Sequence, residues 1–254
     1  MEFLLNQPWA LGLLTALLLA GIIDVGHQIA VRSRIQEDTN RKDQMVAIRD
    51  GLFVLVGLLL GFTLALAAPR FAERRALLID EANAIGTTYL RAGTLPEPNR
   101  TKAEQLLREY VDDRLELDSA GLDSDRRTKA SERAKQIQQQ LWDGVMEVAK
   151  SDRSAITASY MSSLNQTIDL HEKRLSALEN RIPRSVWLLI FSVSIIATFA
   201  RGLTLAGRFW LTLALSPLTI ALVIALIADL DTPSSGLIRL DQRAMQRLKA
   251  EIGH

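Results

Sequence analysis

The chain has 254 residues, a formal net charge of +1 and no cysteine. A net charge this close to zero gives no reason to expect a nucleic-acid partner. The absence of cysteine excludes disulfides, thiol catalysis and cysteine metal sites. Apolar residues make up 48% of the chain and are concentrated near its two ends, whereas the middle third is rich in charged and polar residues.

Four segments are long and apolar enough to cross the roughly 30 Å hydrocarbon core of a bilayer, which takes about 20 helical residues. They cover residues 9–31, 48–68, 185–202 and 209–228. No basic region precedes the first segment, unlike a secretory signal peptide, so we expect it to be retained. The sequence therefore predicts an all-α integral membrane protein with four transmembrane helices.

The order of these segments predicts two hairpins separated by a helical soluble domain. Residues 1–68 are the first transmembrane hairpin, 69–183 the helical soluble domain, 184–230 the second hairpin and 231–254 an amphipathic C-terminal tail. Because the number of crossings is even, both termini and the soluble domain lie on the same side of the membrane. The basic residues that flank the spans slightly favour the cytoplasm for that side.

The soluble region has helical periodicity in residues 71–92, 101–117 and 126–150. A further helix leads into the third span with apolar residues spaced by three and four, which indicates either ordinary packing on a neighbouring helix or a multi-chain stalk. The residues of that seam are Met161, Leu164, Ile168, His171, Leu175, Leu178 and Ile182. The amphipathic tail suits a helix that lies on the membrane surface or on the soluble domain.

Two acids, Asp229 and Asp231, follow the fourth span, although the C-terminal end of a helix carries partial negative charge. Their spacing matches a phosphatase Asp-x-Asp motif, but the apolar run before them is far too long for a strand. We expect them to be paired with arginines that follow the second span, since a carboxylate at the membrane boundary is tolerable when it is paired. Solvated acids and cation coordination are the alternatives. The predicted polar cluster at the membrane boundary comprises Arg70, Arg74, Glu81, Arg91, Asp229 and Asp231.

Small residues recur every fourth position in the second span, at Gly57, Gly61 and Ala65. Such a stripe allows the close approach of another helix, either within the chain or between subunits. The same residues, together with Thr63, would suit the wall of a pore.

Three titratable residues are candidates for ion or proton handling. Asp24 and His27 are three residues apart and therefore share a helix face in the first span, although both can also reach the membrane interface. His171 would be a pH-sensitive element if buried, but we expect it to be partly exposed. No two of the three histidines have metal-ligand spacing, and no phosphate loop or nucleophile motif occurs. The sequence predicts no enzyme, no metal and no cofactor.

Three stretches carry a family resemblance: FAERR at 71–75, DEANAIGTTYLR at 80–91 and DLDTPSSGLIR at 229–239. In these stretches and in its layout the chain resembles the bestrophin-like family of bacterial membrane proteins, which is named for a distant similarity to the bestrophin channels. Bestrophins are pentameric, mostly anion-selective channels, with their termini and a large helical domain in the cytoplasm and a pore lined by the second span.

The resemblance implies an oligomeric ion channel, or channel-like protein, of the bacterial inner membrane. It would conduct small ions, with anions favoured, as a homo-oligomer that can be a pentamer in membrane lipid. By layout, residues 48–68 would line the pore and residues 71–91 would continue it. The alternative is a non-conducting membrane scaffold or signalling protein whose helical domain recruits a partner.

Overall fold

The computed structural model of the chain describes residues 7–33, 39–119, 124–205, 210–232 and 236–253. These residues form eight α-helices and no strand, which confirms the all-helical prediction. The helices are α1 Pro8–Arg32, α2 Thr39–Ala92, α3 Asn99–Ser119, α4 Ser124–Ser151, α5 Ala155–Glu179, α6 Arg184–Thr204, α7 Trp210–Asp231 and α8 Arg243–Ile252.

Parts of four predicted connections lie outside the described residues. They are residues 34–38 between α1 and α2, 120–123 between α3 and α4, 206–209 between α6 and α7, and 233–235 between α7 and α8.

Four helical stretches are long and apolar enough to cross a membrane: Pro8–Arg32, Asn40–Ala92, Ala155–Thr204 and Leu213–Asp231. They contain the first three predicted spans and residues 213–228 of the fourth, so the prediction of a multi-pass membrane protein is confirmed. The helix that we expected at residues 71–92 is not separate, because α2 continues through Pro69 to Ala92. Proline removes one hydrogen bond from a helix interior, but no glycine or other turn residue stands beside Pro69, and the helix continues.

The membrane unit consists of Met1–Phe71 and Arg181–Ile238. In it α1 packs against α6 and α7, and the backbones of α1 and α6 approach closely at Gly26 and Gly202. A Cβ atom at Gly26 would lie 2.6 Å from the carbonyl oxygen of Phe199, and one at Gly202 would collide with that of Ile23. Only glycine allows this crossing.

The charged unit consists of Ala72–Asn180 and Arg239–His254. Its core joins α3, α4, α5 and the later part of α2, and it includes Tyr110, Val145 and Leu164. The tail helix α8 buries Met245, Leu248 and Ile252 in the same core, which favours packing on this unit over the membrane-surface alternative. Because Leu164 and His171 are fully buried, the seam of α5 is occupied within the chain, as ordinary helix packing requires.

Candidate functional site

The two acids at the end of α7 accept hydrogen bonds from backbone amides of the membrane unit. Asp229 accepts from the N–H groups of Leu237 and Ile238, at 3.0 and 3.1 Å. Both oxygens of Asp231 lie within hydrogen-bond distance of the Ile182 N–H, at 3.1 and 3.2 Å. The acids are only 5% exposed. Although the helix dipole disfavours them at this end, hydrogen bonds from N–H groups stabilise the charged form of a carboxylate.

Gly236 is needed for the chain to return to Asp229. Its φ angle is +113°, and a Cβ atom there would collide with Oδ1 of Asp229. The DLDTPSSG stretch thus ends in a glycine that allows the next two amides to reach the carboxylate. Asp229 therefore stabilises this turn by accepting hydrogen bonds from the amides that follow Gly236.

Two of the predicted arginines satisfy helix carbonyls in the charged unit. Arg74, which is 1% exposed, donates from Nε to Ala177 O at 2.9 Å and from Nη2 to Asn180 O at 2.8 Å, where α5 ends. The last carbonyls of a helix have no partner within it, so a cation is favourable there. Arg91 donates to Ser159 O at 2.9 Å near the start of α5.

The third predicted arginine, Arg70, belongs to the membrane unit, and its Nη1 is buried without a hydrogen-bond partner among the described residues. The six residues of the predicted boundary cluster thus fall into two units, and each of Arg74, Arg91 and Asp229 has backbone partners of its own. The pairing of the two acids with arginines of α2 stays a prediction.

Glu81 is the centre of a buried ionic cluster in the charged unit. Its Oε1 lies 2.8 Å from Arg114 Nε, and its Oε2 lies 2.6 Å from Arg174 Nη1. All three side chains are at most 1% exposed. Burial by itself would raise the pKa of Glu81, but Arg114, the His171 ring with its Nδ1 3.7 Å from Oε1, and Arg174 outweigh it and hold the pKa well below its ordinary range.

Tyr110 and His171 extend this cluster. We call Glu81, Arg114, Arg174, Tyr110 and His171 together the Glu81 cluster. The hydroxyl of Tyr110 lies 3.0 Å from His171 Nδ1 and 3.4 Å from Glu81 Oε1, and it accepts from Gln138 Nε2 at 3.1 Å. Burial, followed by the Glu81 carboxylate, raises the pKa of Tyr110, so its hydroxyl keeps the proton that it donates. The expectation that His171 is partly exposed was wrong: it is 0% exposed, because the seam of α5 faces the core.

Sequence reasoning missed Arg114 and Arg174, which lie 33 and 93 residues from Glu81 along the chain. One signal was available. Arg114 continues the buried stripe of Leu107, Tyr110 and Val111 on α3, and a charged residue on an apolar helix face requires a buried partner.

The second span presents an apolar strip that no other described part of the membrane unit covers. Val54, Leu58 and Phe62 are 73%, 51% and 62% exposed and follow one another at four-residue intervals. Four residues advance a helix by one turn plus roughly 40°, so these side chains form one continuous strip. Its large apolar residues are accessible over most of the span.

The residues of α2 that were predicted for helix packing or a pore wall lie on two different faces of the helix. Gly57, Gly61 and Ala65 are exposed beside this strip, and a Cβ atom built on either glycine meets no other described helix or side chain within 4 Å. Thr63 is only 4% exposed and donates to Leu59 O at 2.7 Å. Since two residues turn a helix by roughly 200°, Thr63 faces away from Gly61. The structure does not bring Thr63 together with the glycines.

Asp24 and His27 also have separate surroundings. Asp24 accepts a hydrogen bond from Gln28 Nε2 at 2.7 Å. His27 is 9% exposed, and its Nδ1 lies 3.2 Å from Leu205 O at the crossing of α1 and α6. Across the described ranges, no group of three His, Asp or Glu side chains has metal-binding geometry.

Comparison with known proteins gives one family and one fold. The family model described as a bestrophin-like domain matches residues 13–245. A mutant crystal structure of a bacterial bestrophin homolog from Klebsiella pneumoniae has 14% identity and a TM-score of 0.69, over 94% of this chain and 96% of that chain. The same homolog, solved by Zn-SAD phasing, has 16% identity and a TM-score of 0.66, over 94% and 96%.

A crystal structure described only as a membrane protein has 14% identity and a TM-score of 0.70, over 94% of this chain and 96% of that chain. No curated protein matches the chain. At these identities the solved structures show the fold, whereas the domain match, which covers most of the chain, shows the family. The chain belongs to the bestrophin-like family.

Proposed function

We propose that the protein is an oligomeric ion channel of the bacterial inner membrane that conducts small ions, with anions favoured. The observation that carries the proposal is the uncovered strip of Val54, Leu58 and Phe62 on α2. One such helix cannot enclose a pathway, so several copies would have to bring their α2 helices around a common axis. The resemblance to bestrophins supports both the assembly and the preference for anions.

In this proposal the strip forms an apolar constriction. Rings of apolar side chains can gate a pore by excluding water when they are close together and admitting it when they separate. Val54, Leu58 and Phe62 would supply three successive rings about 6 Å apart along the axis, since each residue adds about 1.5 Å. Ala65 continues the strip with a smaller side chain, and Gly57 and Gly61 lie on its flank.

The proposed topology places two hairpins, residues 1–68 and 184–230, around a soluble domain at 69–183, with an amphipathic tail at 231–254. Both termini and the soluble domain face the cytoplasm. The flanking basic residues support this orientation. A cysteine scan read with membrane-impermeant thiol reagents on intact cells tests it, since the chain has no cysteine of its own.

Ion flux from liposomes that contain the purified protein tests the proposal. We expect chloride gradients to give flux and potassium gradients to give much less. Leu58→Trp should abolish the flux, because it fills the constriction, whereas Leu13→Trp is a matched control on α1, where Leu13 is 64% exposed. Absence of flux over several pH values and lipid mixtures would favour the non-conducting scaffold.

A further inference from the structure

A groove on the membrane unit runs between α2 and α7. It has a volume of about 720 Å³ and mostly apolar walls. The walls include Phe53, Leu60 and Leu64 on α2, and Leu215, Ile220 and Val223 on α7. A volume of this size lies within the range of about 300–1,000 Å³ that is typical of small-molecule sites.

The groove is open because α2 has no side chains at two of its wall positions. Gly57 and Gly61 both line it, and a Cβ atom on either glycine would have no neighbour within 4 Å. A side chain at either position would begin in open space and extend into the groove. The glycines therefore create space at this wall.

One end of the groove is charged. Arg49, Asp50 and Arg201 line it. Arg49 lies 2.7 Å from Asp50 and donates to Thr204 Oγ1 at 3.1 Å. The Nε of Arg201 is buried and has no hydrogen-bond partner among the described residues. Among the described residues that line this end, two guanidinium groups thus have one carboxylate between them, which gives a net positive charge.

A second unsatisfied polar atom belongs to a residue of the groove wall. Ser216 on α7 lines the groove, and its hydroxyl is buried with no hydrogen-bond partner in the described ranges. Buried polar groups in proteins are nearly always hydrogen-bonded. Two residues that line the groove therefore have a buried polar atom without a partner among the described residues: Arg201 at the charged end and Ser216 on a mostly apolar wall.

We propose that this groove binds one anionic phospholipid, with an acyl chain along the apolar walls and the phosphate on Arg201 and Arg49. The planar guanidinium fork matches the oxygens of a phosphate, and an ester carbonyl of the lipid can accept from Ser216. An apolar helix of a second copy would cover the same walls but would bring no anion to Arg201. The charge at the end of the groove therefore favours a lipid.

The dimensions also fit a lipid. From Arg49 to Leu64 the helix rises about 22 Å at 1.5 Å per residue. One leaflet of a bilayer contributes about 15 Å of hydrocarbon, half of the roughly 30 Å core. The charged end thus lies at the depth of the head groups when the apolar walls lie among the acyl chains. This proposal does not depend on ion conduction.

Native mass spectrometry of the purified, delipidated full-length protein tests the proposal, with dioleoyl phosphatidylglycerol and dioleoyl phosphatidylcholine as probes. We expect one phosphatidylglycerol per chain at low lipid concentration, with weaker binding of phosphatidylcholine. Arg201→Gln should weaken phosphatidylglycerol binding about tenfold or more, as loss of a charge-assisted hydrogen bond predicts. Arg32→Gln, at an exposed arginine that ends α1, is the matched control and should bind as the wild type does.

Gly61→Leu should weaken the binding of both lipids, because it fills the groove without removing charge. Equal phosphatidylglycerol affinity of Arg201→Gln and Arg32→Gln would overturn the proposal. So would a Gly61→Leu variant that binds lipid normally but assembles into fewer subunits, since a neighbouring chain would then be the occupant. If Arg201→Gln fails to fold, Arg201→Lys keeps the charge but loses the planar fork, so it should still bind phosphatidylglycerol more tightly than phosphatidylcholine. Equal binding of the two lipids by Arg201→Lys would contradict the assignment.

Discussion

The carboxylate of Glu81 lies 2.6 Å from the guanidinium of Arg174, with both side chains buried inside the charged unit. A buried pair of this kind adds little stability over an apolar replacement, but removing one partner leaves an uncompensated charge. We expect Glu81→Gln to lower the free energy of unfolding by about 3–5 kcal/mol. The midpoint of denaturant unfolding in detergent measures it.

Glu104→Gln is the control for that variant. Glu104 pairs with Arg100 at 3.1 Å on the surface, where the arginine side chain is 50% exposed. Exposed pairs contribute about 0–1 kcal/mol, so this variant should unfold close to the wild type. Equal destabilisation by the two substitutions would mean that the Glu81 cluster is not a buried ionic centre.

The Glu81 cluster also predicts a dependence on pH. Because the pKa of Glu81 in the folded protein is lowered from its ordinary value of 4.5, its contribution to stability is complete above about pH 4.5. It is lost as the pH falls through the folded pKa, at up to about 1.4 kcal/mol per pH unit. The difference in unfolding free energy between wild type and Glu81→Gln should therefore be constant near neutral pH and shrink below pH 4.5. A difference that grows on acidification would contradict the assigned sign.

The turn after α7 predicts a glycine-specific effect. Gly236→Ala places a Cβ atom against Asp229 at a φ of +113°. A non-glycine residue in this region costs about 1–3 kcal/mol before the collision is counted. We expect a clearly lower Tm, whereas Gly144→Ala, where a Cβ atom meets nothing within 4 Å in α4, should leave the Tm unchanged or raise it. An unchanged Tm in Gly236→Ala would mean that Asp229 does not hold this turn.

The crossing of α1 and α6 makes a similar prediction inside the membrane unit. Gly202→Ala forces a Cβ atom onto Ile23 O and the backbone of Gly26, and overpacking of this kind costs about 1–3 kcal/mol. The Tm and the yield of folded protein should fall. Gly21→Ala on α1 is the matched control, because a Cβ atom at Gly21 meets nothing within 4 Å among the described residues. Equal behaviour of the two variants would show that the helices do not cross at Gly202.

Sequence patterns predicted the four spans and the family, because an apolar run of span length and the FAERR and DLDTPSSG motifs are local signals. They did not identify the residues of closest helix contact. The four-residue spacing of Gly57 and Gly61 drew attention to α2, yet the close crossing uses Gly26 and Gly202, which are far apart in the chain. Only the three-dimensional arrangement shows which glycine has a neighbour.

The partners of the charged residues also depend on the three-dimensional arrangement. The sequence identifies Glu81 but groups it with arginines that have other partners. Arg74 donates to carbonyl oxygens at the end of α5, and Arg91 donates to Ser159 O. The real partners of Glu81, Arg114 and Arg174, come from two other helices. Long-range pairing depends on which helix faces meet in the core, and one sequence carries little information on that.

The measurement that tests the central claim most directly is thiol modification of Leu58→Cys during ion flux. The chain has no cysteine of its own, so a single introduced thiol reports on its own position. A water-soluble, charged methanethiosulfonate reagent reacts only with thiols in contact with water.

Leu13→Cys on α1, at a comparably exposed side chain, is the control. If α2 lines an ion pathway, the reagent should suppress chloride flux through Leu58→Cys liposomes and leave Leu13→Cys unaffected. Chloride flux through Leu58→Cys that persists at full strength, with the thiol unmodified, would contradict a pathway along this strip.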